Sequence, residues 1–505
     1  MASIKDKVAK GAVWATLEKF VLQGVHFVVG MVLARLLTPT DYGTVALLSI
    51  FFAIAGTFVS CGFGTALVQR KEVGELEFNS VFYTSIAMSI VIYAIFFFTA
   101  PLIAEFYDVP VLKAVVRVSA LSFVFGAINS VQCAELSRKM LFDRRFKISL
   151  ATCLASAVCG ITFAFLGWGV WAIVLSGLMT NIVGMFAYWF IIAWRPRLMF
   201  SFSALKGLFS YGWKMSLAGL VHTTYTNLSG FLIGKFYSPA DLAFVNKGQS
   251  MPNLLMTTID GTINSVSFPA MAQLQDRRDS VRNGLRRMIQ CSTYLVFPLL
   301  AGLCICAKPM IVLLYGTKWS PAVPYVMIAC VDFLLLPFNT INTNAISAIG
   351  RSDVYLLLDC IKKTVGVLVT IVSLRYGILT FMLATAFIQS PFAVFVNTFA
   401  NGRILGYNLS MQMRDVLSPA LLTAAMSAVV LAVQFSTRSL LAAIPCETLA
   451  LAVELLLAVV VGAAVYIGLS VKFKPQPFLE YLNVIQPVLR TKFPRVARVC
   501  ERIVC

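Results

Sequence analysis

Apolar runs, each about as long as a bilayer core is thick, follow one another through this chain. Hydrocarbon offers peptide groups no water, so such a chain folds either as α-helices or as a closed β-barrel. A spanning helix needs about 20 residues and a barrel strand only about 9–11. The runs here have helix length. They fall near 11–35, 41–67, 79–104, 111–134, 147–167, 170–194, 211–236, 239–270, 288–314, 321–349, 353–374, 377–400, 415–435 and 447–471. The expected fold class is an all-α integral membrane protein of about 14 transmembrane helices. A mean hydropathy of +0.84, with only 12% charged residues, excludes a soluble domain.

The chain also repeats itself. Gly30 to Val45 reads GMVLARLLTPTDYGTV, and Gly230 to Val245 reads GFLIGKFYSPADLAFV. Gly30 aligns with Gly230, Arg35 with Lys235, Pro39 with Pro239 and Asp41 with Asp241. Further along, Ile128-Asn129-Ser130 answers Ile341-Asn342-Thr343, and Ser137-Arg138 answers Gly350-Arg351. An even number of segments separates the copies, so they run parallel in the membrane, related by an axis along its normal. Such duplication places a substrate site between the halves in transporters. The expected organisation is a first six-helix lobe over 1–194, a cytoplasmic amphipathic linker over 195–210 and a second six-helix lobe over 211–402. Two further helices over 403–471 and a basic cytoplasmic tail over 472–505 complete it.

A net charge of +19 invites a nucleic-acid partner, but the distribution argues for topology instead. One set of loops holds Lys5, Lys7 and Lys10, the cluster from Arg138 to Lys147, the run from Arg277 to Arg287, and a tail with Arg495, Arg498 and Arg502. The other side keeps Arg35, Lys113, Arg117, Lys235, Lys247, Lys308, Lys318, Arg375 and Arg438. The bias is about threefold and sets both termini in the cytoplasm. No nucleic-acid partner is expected, and attraction to anionic membrane lipids is a secondary consequence. Glu18 and Lys19 interrupt the first apolar run and no small-residue cleavage site follows it, so it reads as a retained helix. The twelve cysteines lack metal or CxxC spacing and read as small apolar residues.

Polar residues inside such segments are costly, about 2.5–3.5 kcal/mol for a central Asp. Asn246, Ser250, Asn253, Thr257, Asp260 and Asn264 recur at steps of four and three, which makes one stripe on a helix. That stripe faces either a water-filled path or a neighbouring helix, and Pro252 offers a place to bend. The first segment carries Glu18, Lys19, Gln23 and His26 on one face. Its repeat partner carries His222, Thr223, Thr226 and Asn227. Glu18, His26 and Asp260 are candidates for coupling to H⁺ or Na⁺, with a structural ion pair as the alternative for Glu18. Asp332, Asn339, Asn342, Thr343 and Ser347 give the tenth segment a weaker polar face. No Walker, HExxH or GxSxG motif occurs, and the first outer loop is only 37–41, so neither ATP use nor a catalytic domain is expected. No cofactor is expected beyond a coupling ion.

Several stretches together resemble the Wzx-type polysaccharide exporters, in particular their colanic-acid exporter-like subgroup, within the multidrug/oligosaccharidyl-lipid/polysaccharide superfamily. They are GAVW at Gly11–Trp14, ARLLTPTDYG at Ala34–Gly43, LSRKMLFDRRFK at Leu136–Lys147, LGWGVWAIV at Leu166–Val174 and SPADLAFVNKGQSMPNLL at Ser238–Leu255. The resemblance implies two six-helix lobes around a central cavity, with two added helices. It also implies flipping of an undecaprenyl-diphosphate-linked oligosaccharide across a bacterial inner membrane by alternating access. Membrane lipids and a polysaccharide polymerase or export machinery are the implied partners. A sugar suits the amides and hydroxyls of the stripe, with Gln23, Thr223, Thr226 and Asn227 added. The diphosphate needs cations, for which Lys19, Lys214 and Lys247 are the candidates. The alternative is a proton- or sodium-coupled multidrug antiporter of the same superfamily, which would prefer an acidic, aromatic-lined pocket.

Overall fold

A computed structural model describes residues 4–60, 62–70, 73–274, 277–442 and 445–492. Residues 493–505, with Arg495, Arg498 and Arg502 of the expected tail, lie outside the described residues, as do the side chains of Lys5, Lys7 and Lys10. The described residues contain helices and turns and no strand.

The first apolar run becomes α1 (Ile4–Leu36). The second is broken into α2 (Pro39–Ala46), α3 (Ser49–Ser60) and α4 (Phe63–Gln69). Gly62 separates α3 from α4 at φ +66, a left-handed conformation in which a residue with a Cβ is strained. The four following runs form α5 (Glu75–Phe106), α6 (Leu112–Arg138), α7 (Phe142–Phe165) and α8 (Val170–Ile191). The segment expected as a linker is irregular only as far as Ser201. From Phe202 it continues as α9 (Phe202–Phe236) without a break. The Ser201 hydroxyl caps that helix by accepting from the Ala204 amide at 3.3 Å. Buried Asn79 and Ser80 hold the irregular part, accepting from the amides of Arg197 (2.5 Å) and Ser201 (2.9 Å). Leu205 and Leu208 turn inward while Phe202 and Phe209 stay exposed, as an amphipathic segment requires.

Then come α10 (Pro239–Ala272), α11 (Arg278–Ile305), α12 (Ala307–Tyr315), a 3₁₀ turn (Thr317–Ala322), α13 (Val323–Phe333), α14 (Leu336–Ala348) and α15 (Ser352–Leu374). The twelfth run forms α16 (Ile378–Ala384), a π turn (Thr385–Gln389) and α17 (Ser390–Leu405). The chain continues as α18 (Leu409–Ala442), α19 (Glu447–Phe473) and an amphipathic α20 (Gln476–Lys492). Among the described residues, eleven helical stretches are long and apolar enough to cross a membrane. The runs at 211–236, 239–270 and 353–374 fall on α9, α10 and α15, which are not among these stretches; α15 carries Asp359, Lys362 and Lys363 within its apolar part.

Two compact units divide the helices, one up to Ala243 and the other from Phe244 onward. Helix α9 belongs to the first, packed against α3, α4 and α5. That unit has a core at Phe63, Leu67, Phe82, Leu136, Ile148 and Trp194. The second is built around Leu285, Ile289, Phe338 and Ile341, and around Tyr294, Met426, Val430 and Tyr466. Large apolar side chains such as Phe98, Phe190 and Phe435 point outward, as lipid contact allows.

The repeated turns are realised as matching caps. Thr38 Oγ1 accepts from the Asp41 amide at 3.3 Å while Asp41 Oδ2 accepts from the Thr38 amide at 2.9 Å. Ser238 and Asp241 do the same at 3.1 and 3.2 Å. These are capping boxes, each satisfying two donors that a helix start leaves open. The two turns also meet, because a Cβ on Gly43 would lie 1.7 Å from the Pro239 carbonyl oxygen. The second copy's cation, Lys235, donates to the Phe106 carbonyl at 2.5 Å and so closes the end of α5.

Prolines inside helices leave the carbonyl four residues back without its donor. Two such carbonyls are filled by side chains. Pro101 frees Phe97, whose oxygen accepts from Arg117 Nε at 3.2 Å. Pro298 frees Tyr294, whose oxygen accepts from the Tyr466 hydroxyl at 2.7 Å.

Candidate functional site

Helix α10 carries the stripe expected from its spacing. Asn246, Ser250, Asn253, Thr257 and Asn264 are exposed and Asp260 is half-buried, while Met251, Met256 and Met271 on the other sides are buried. The hydroxyls of Ser250 and Thr257 donate back to the carbonyls of Lys247 (2.7 Å) and Leu254 (3.2 Å). The Thr257 oxygen therefore remains open as an acceptor, while Ser250 also meets the Tyr315 hydroxyl. Among the described residues, Asn246 and Asn253 make no side-chain hydrogen bond, so their amides can both donate and accept. The result is a row of neutral hydrogen-bonding groups with a single carboxylate.

That carboxylate joins the stripe to an interior polar seam. Asp260 Oδ2 accepts from Asn264 Nδ2 at 3.1 Å, and its Oδ1 is buried with no hydrogen-bond partner. Thr340 of α14 lies beside it. Asn264 Oδ1 accepts from Asn344 Nδ2 at 2.8 Å, and the same amide reaches Ser267 Oγ at 2.7 Å. On the other side of α14, Asn397 of α17 donates to Asn339 Oδ1 (3.1 Å) and Thr343 Oγ1 (3.2 Å). Deeper still, Asn342 accepts from Asn401 (2.8 Å) and Gln412 (3.0 Å) and donates to Gln412 Oε1 at 3.0 Å. These three side chains are fully buried. Asp332 accepts from Ser390 at 2.5 Å, where the π turn meets α17. Without water, such bonds fasten helices together, at about 0.6 kcal/mol each on average.

The polar face expected on the tenth segment is therefore engaged by α17 and α18, while α10 meets Asn344 beside it. Sequence reasoning missed Asn344, Ser390, Asn397, Asn401 and Gln412, although the spacing of Asn397 and Asn401 is a one-turn signal.

In the first unit, Glu18 is 8% exposed, and its Oε1 accepts from Ser149 Oγ at 2.8 Å and meets Arg145 Nε at 3.4 Å. Its partners thus come from α7 and belong to the LSRKMLFDRRFK stretch and its continuation. His26 Nε2 lies 3.9 Å from Cys153 Sγ, also on α7. Gln23 is half-buried and engaged. On α9 Thr226 donates to the carbonyls of His222 (3.0 Å) and Thr223 (3.1 Å), and Asn227 Nδ2 donates to Thr223 at 2.9 Å. Of the expected cations, Lys19 and Lys214 are exposed. Lys247 is not: its ammonium sits 4.3 Å from the centre of the Tyr315 ring, a cation–π contact made possible by the fold of α12.

A family model described as polysaccharide biosynthesis protein matches residues 32–324. This chain belongs to the polysaccharide biosynthesis protein family. The matched part of this family member contains both capping boxes and the whole α10 stripe, while Glu18, Gln23 and His26 precede it. The teichuronic acid biosynthesis protein TuaB of Bacillus subtilis is 26% identical over 94% of this chain and 98% of its own length. The lipopolysaccharide biosynthesis protein WzxC of Escherichia coli is 22% identical over 71% and 74%. Among solved structures, the lipid II flippase MurJ in an inward closed conformation superposes with a TM-score of 0.71 at 13% identity, over 91% of this chain and 98% of that one. An inward-facing multidrug transporter of the MATE family gives 0.60 at 16% identity, over 78% and 97%. At these identities the structural likeness shows the fold alone, one shared with MurJ and with the MATE transporter.

Proposed function

We propose that this member of the polysaccharide biosynthesis protein family flips undecaprenyl-diphosphate-linked oligosaccharide from the cytoplasmic to the periplasmic leaflet of a bacterial inner membrane. The observation that carries this is the uncovered stripe on α10, where neutral amides and hydroxyls surround one carboxylate. Sugar offers many neutral donors and acceptors and no fixed charge, and a row of such groups can exchange partners as the ligand moves. Drug cations would instead favour acids and rings. The names of TuaB and WzxC, a teichuronic acid and a lipopolysaccharide biosynthesis protein, support the same substrate class.

In this reading the stripe from Asn246 to Asn264, with Gln23, Thr223, Thr226 and Asn227, meets the glycan. Lys19 and Lys214 meet the diphosphate, and Lys247 joins them when it leaves Tyr315. Transport proceeds by alternating access. Protonation or Na⁺ binding at Glu18, His26 or Asp260 couples it to an ion gradient, since Asp260 keeps a buried oxygen with only the Thr340 side chain beside it and Glu18 is a buried carboxylate facing Arg145. Both termini lie in the cytoplasm, and a polymerase or export machinery takes up the product.

The test uses tight liposomes carrying fluorescent lipid-linked oligosaccharide in both leaflets, the purified protein and a membrane-impermeant glycosidase. Cleavage beyond the outer-leaflet fraction, accelerated by an imposed pH or Na⁺ gradient, is the expected result. Cleavage that stops at that fraction, with exchange of a cationic dye for protons, would replace this reading by the drug antiporter.

A further inference from the structure

We propose that the second unit binds one anionic glycerophospholipid of the inner leaflet along a single face of α11. The helix changes character midway. Asn283, Arg287 and Gln290 lie on the same stripe as Tyr294, Pro298 and Gly302, at steps of three and four. The first three line a polar cavity of about 560 Å³, together with Gly284, Arg286 and Gln476 at the start of α20. The last three line an apolar groove of about 630 Å³, closed by Val459 of α19 and by Phe478 and Tyr481 of α20. Each volume is within the range of sites that hold small ligands. A polar pocket and an apolar groove that follow each other along one helix face, one turn apart at Gln290 and Tyr294, suit a phosphate head and its acyl chain.

The charge also fits an anion. Arg286 spends Nε and one terminal nitrogen on Asp415 Oδ1 (2.9 and 2.6 Å), and Arg287 places Nε 3.3 Å from Glu480. Each guanidinium keeps further N–H groups, and the two side chains are 52% and 68% exposed. Arg277, Arg278 and Arg282 add three more positive charges nearby, against Asp279, Asp415 and Glu480. Basic pockets at the inner ends of membrane helices hold anionic headgroups. The site meets α10 only at Leu255, which is not a member of the stripe, and its occupancy does not depend on what the protein transports.

The experiment is native mass spectrometry of the full chain in neutral detergent, titrated with dioleoyl-phosphatidylglycerol or dioleoyl-phosphatidylcholine. The expected result is one retained phosphatidylglycerol per chain, which millimolar inorganic phosphate does not displace. Arg287→Gln should weaken it about fivefold, the effect of one basic side chain near an anionic lipid. Gly284→Phe fills the polar cavity and Gly302→Phe the groove, both positions where a Cβ meets nothing within 4 Å, and either should abolish retention. Arg278→Gln removes the same charge outside the cavity lining and should change nothing. Equal retention of phosphatidylcholine, equal weakening by Arg278→Gln, or full retention in both phenylalanine variants would overturn the proposal. Displacement by phosphate would overturn it in favour of a soluble anion.

Discussion

The hydroxyl of Tyr466 donates to the backbone carbonyl of Tyr294 at 2.7 Å, and Pro298 is the reason that carbonyl is free. The bond ties α19 to α11 at a point where α11 lacks its own ladder. Tyr466→Phe should cost about 1–3 kcal/mol, the penalty for a buried polar group left unpaired. In a Pro298→Ala background the amide of residue 298 returns to the Tyr294 carbonyl, and the same Tyr466→Phe change should cost less than about 1 kcal/mol. A double-mutant cycle measured by denaturing-detergent titration checks this, and additive costs would dissociate the proline from the tyrosine.

Gly43 touches the start of α10 so closely that a methyl group there would overlap the Pro239 carbonyl, at 1.7 Å from its oxygen. Neither partner can yield cheaply, because both lie in capped turns. Gly43→Ala should lower stability by about 3 kcal/mol, at the upper end of overpacking costs. Gly24→Ala in α1 is the control. Nothing lies within 4 Å of its Cβ, and alanine favours the helix, so stability should hold or rise by up to about 1 kcal/mol. Thermal unfolding of the two variants in one detergent decides it.

How far the sequence could be read differs between the fold and the site. Each of the apolar runs falls on helix because length and hydropathy are local properties. The breaks within runs were not legible. The separation of α3 from α4 rests on a Gly62 that meets α9, and apolar composition runs straight through it. The amphipathic α20 was read only as basic tail, its periodicity diluted by the charge around it. At the site, the α10 stripe was legible because six polar residues share one helix face. The partner of Glu18 was not, because Arg145 is a long way off in sequence and looks like an ordinary inner-loop cation. Likewise Asn397, Asn401 and Gln412 each look incidental until folding brings them to Asn342 and its neighbours. Lys247 was a phosphate candidate by position, and only the fold of α12 sets Tyr315 under it.

Glu18 separates a coupling role from a purely structural one. Glu18→Gln keeps an oxygen for the Ser149 hydroxyl and loses only the ion pair to Arg145, whose side chain is 45% exposed. An ion pair with one exposed partner is worth about 1 kcal/mol or less, so folding should be little affected. If a proton on Glu18 drives the cycle, the variant should flip substrate without acceleration by an imposed pH gradient. Gradient acceleration equal to that of the unmodified protein in the liposome assay would remove Glu18 from the coupling mechanism.

Asp260 makes the strongest demand on the proposed function. Asp260→Asn preserves volume, and its carbonyl oxygen can still accept from Asn264, so the seam through Asn344 should stay closed. What the substitution removes is the charge on a buried oxygen whose one polar neighbour beyond Asn264 is the Thr340 side chain. A carboxylate kept in that condition within a membrane helix is expensive unless something binds to it. The variant should therefore be as stable as the parent, or more so, while flipping falls by at least about tenfold, the loss of one charge-assisted contact. Asn253→Ala, which deletes one neutral amide from the same stripe, should reduce flipping only about two- to fivefold. The glycosidase-accessible fraction against time, compared at equal protein per liposome, measures both. Parental flipping in Asp260→Asn would show that the carboxylate serves only the helix seam, and would leave the neutral stripe to carry the glycan alone.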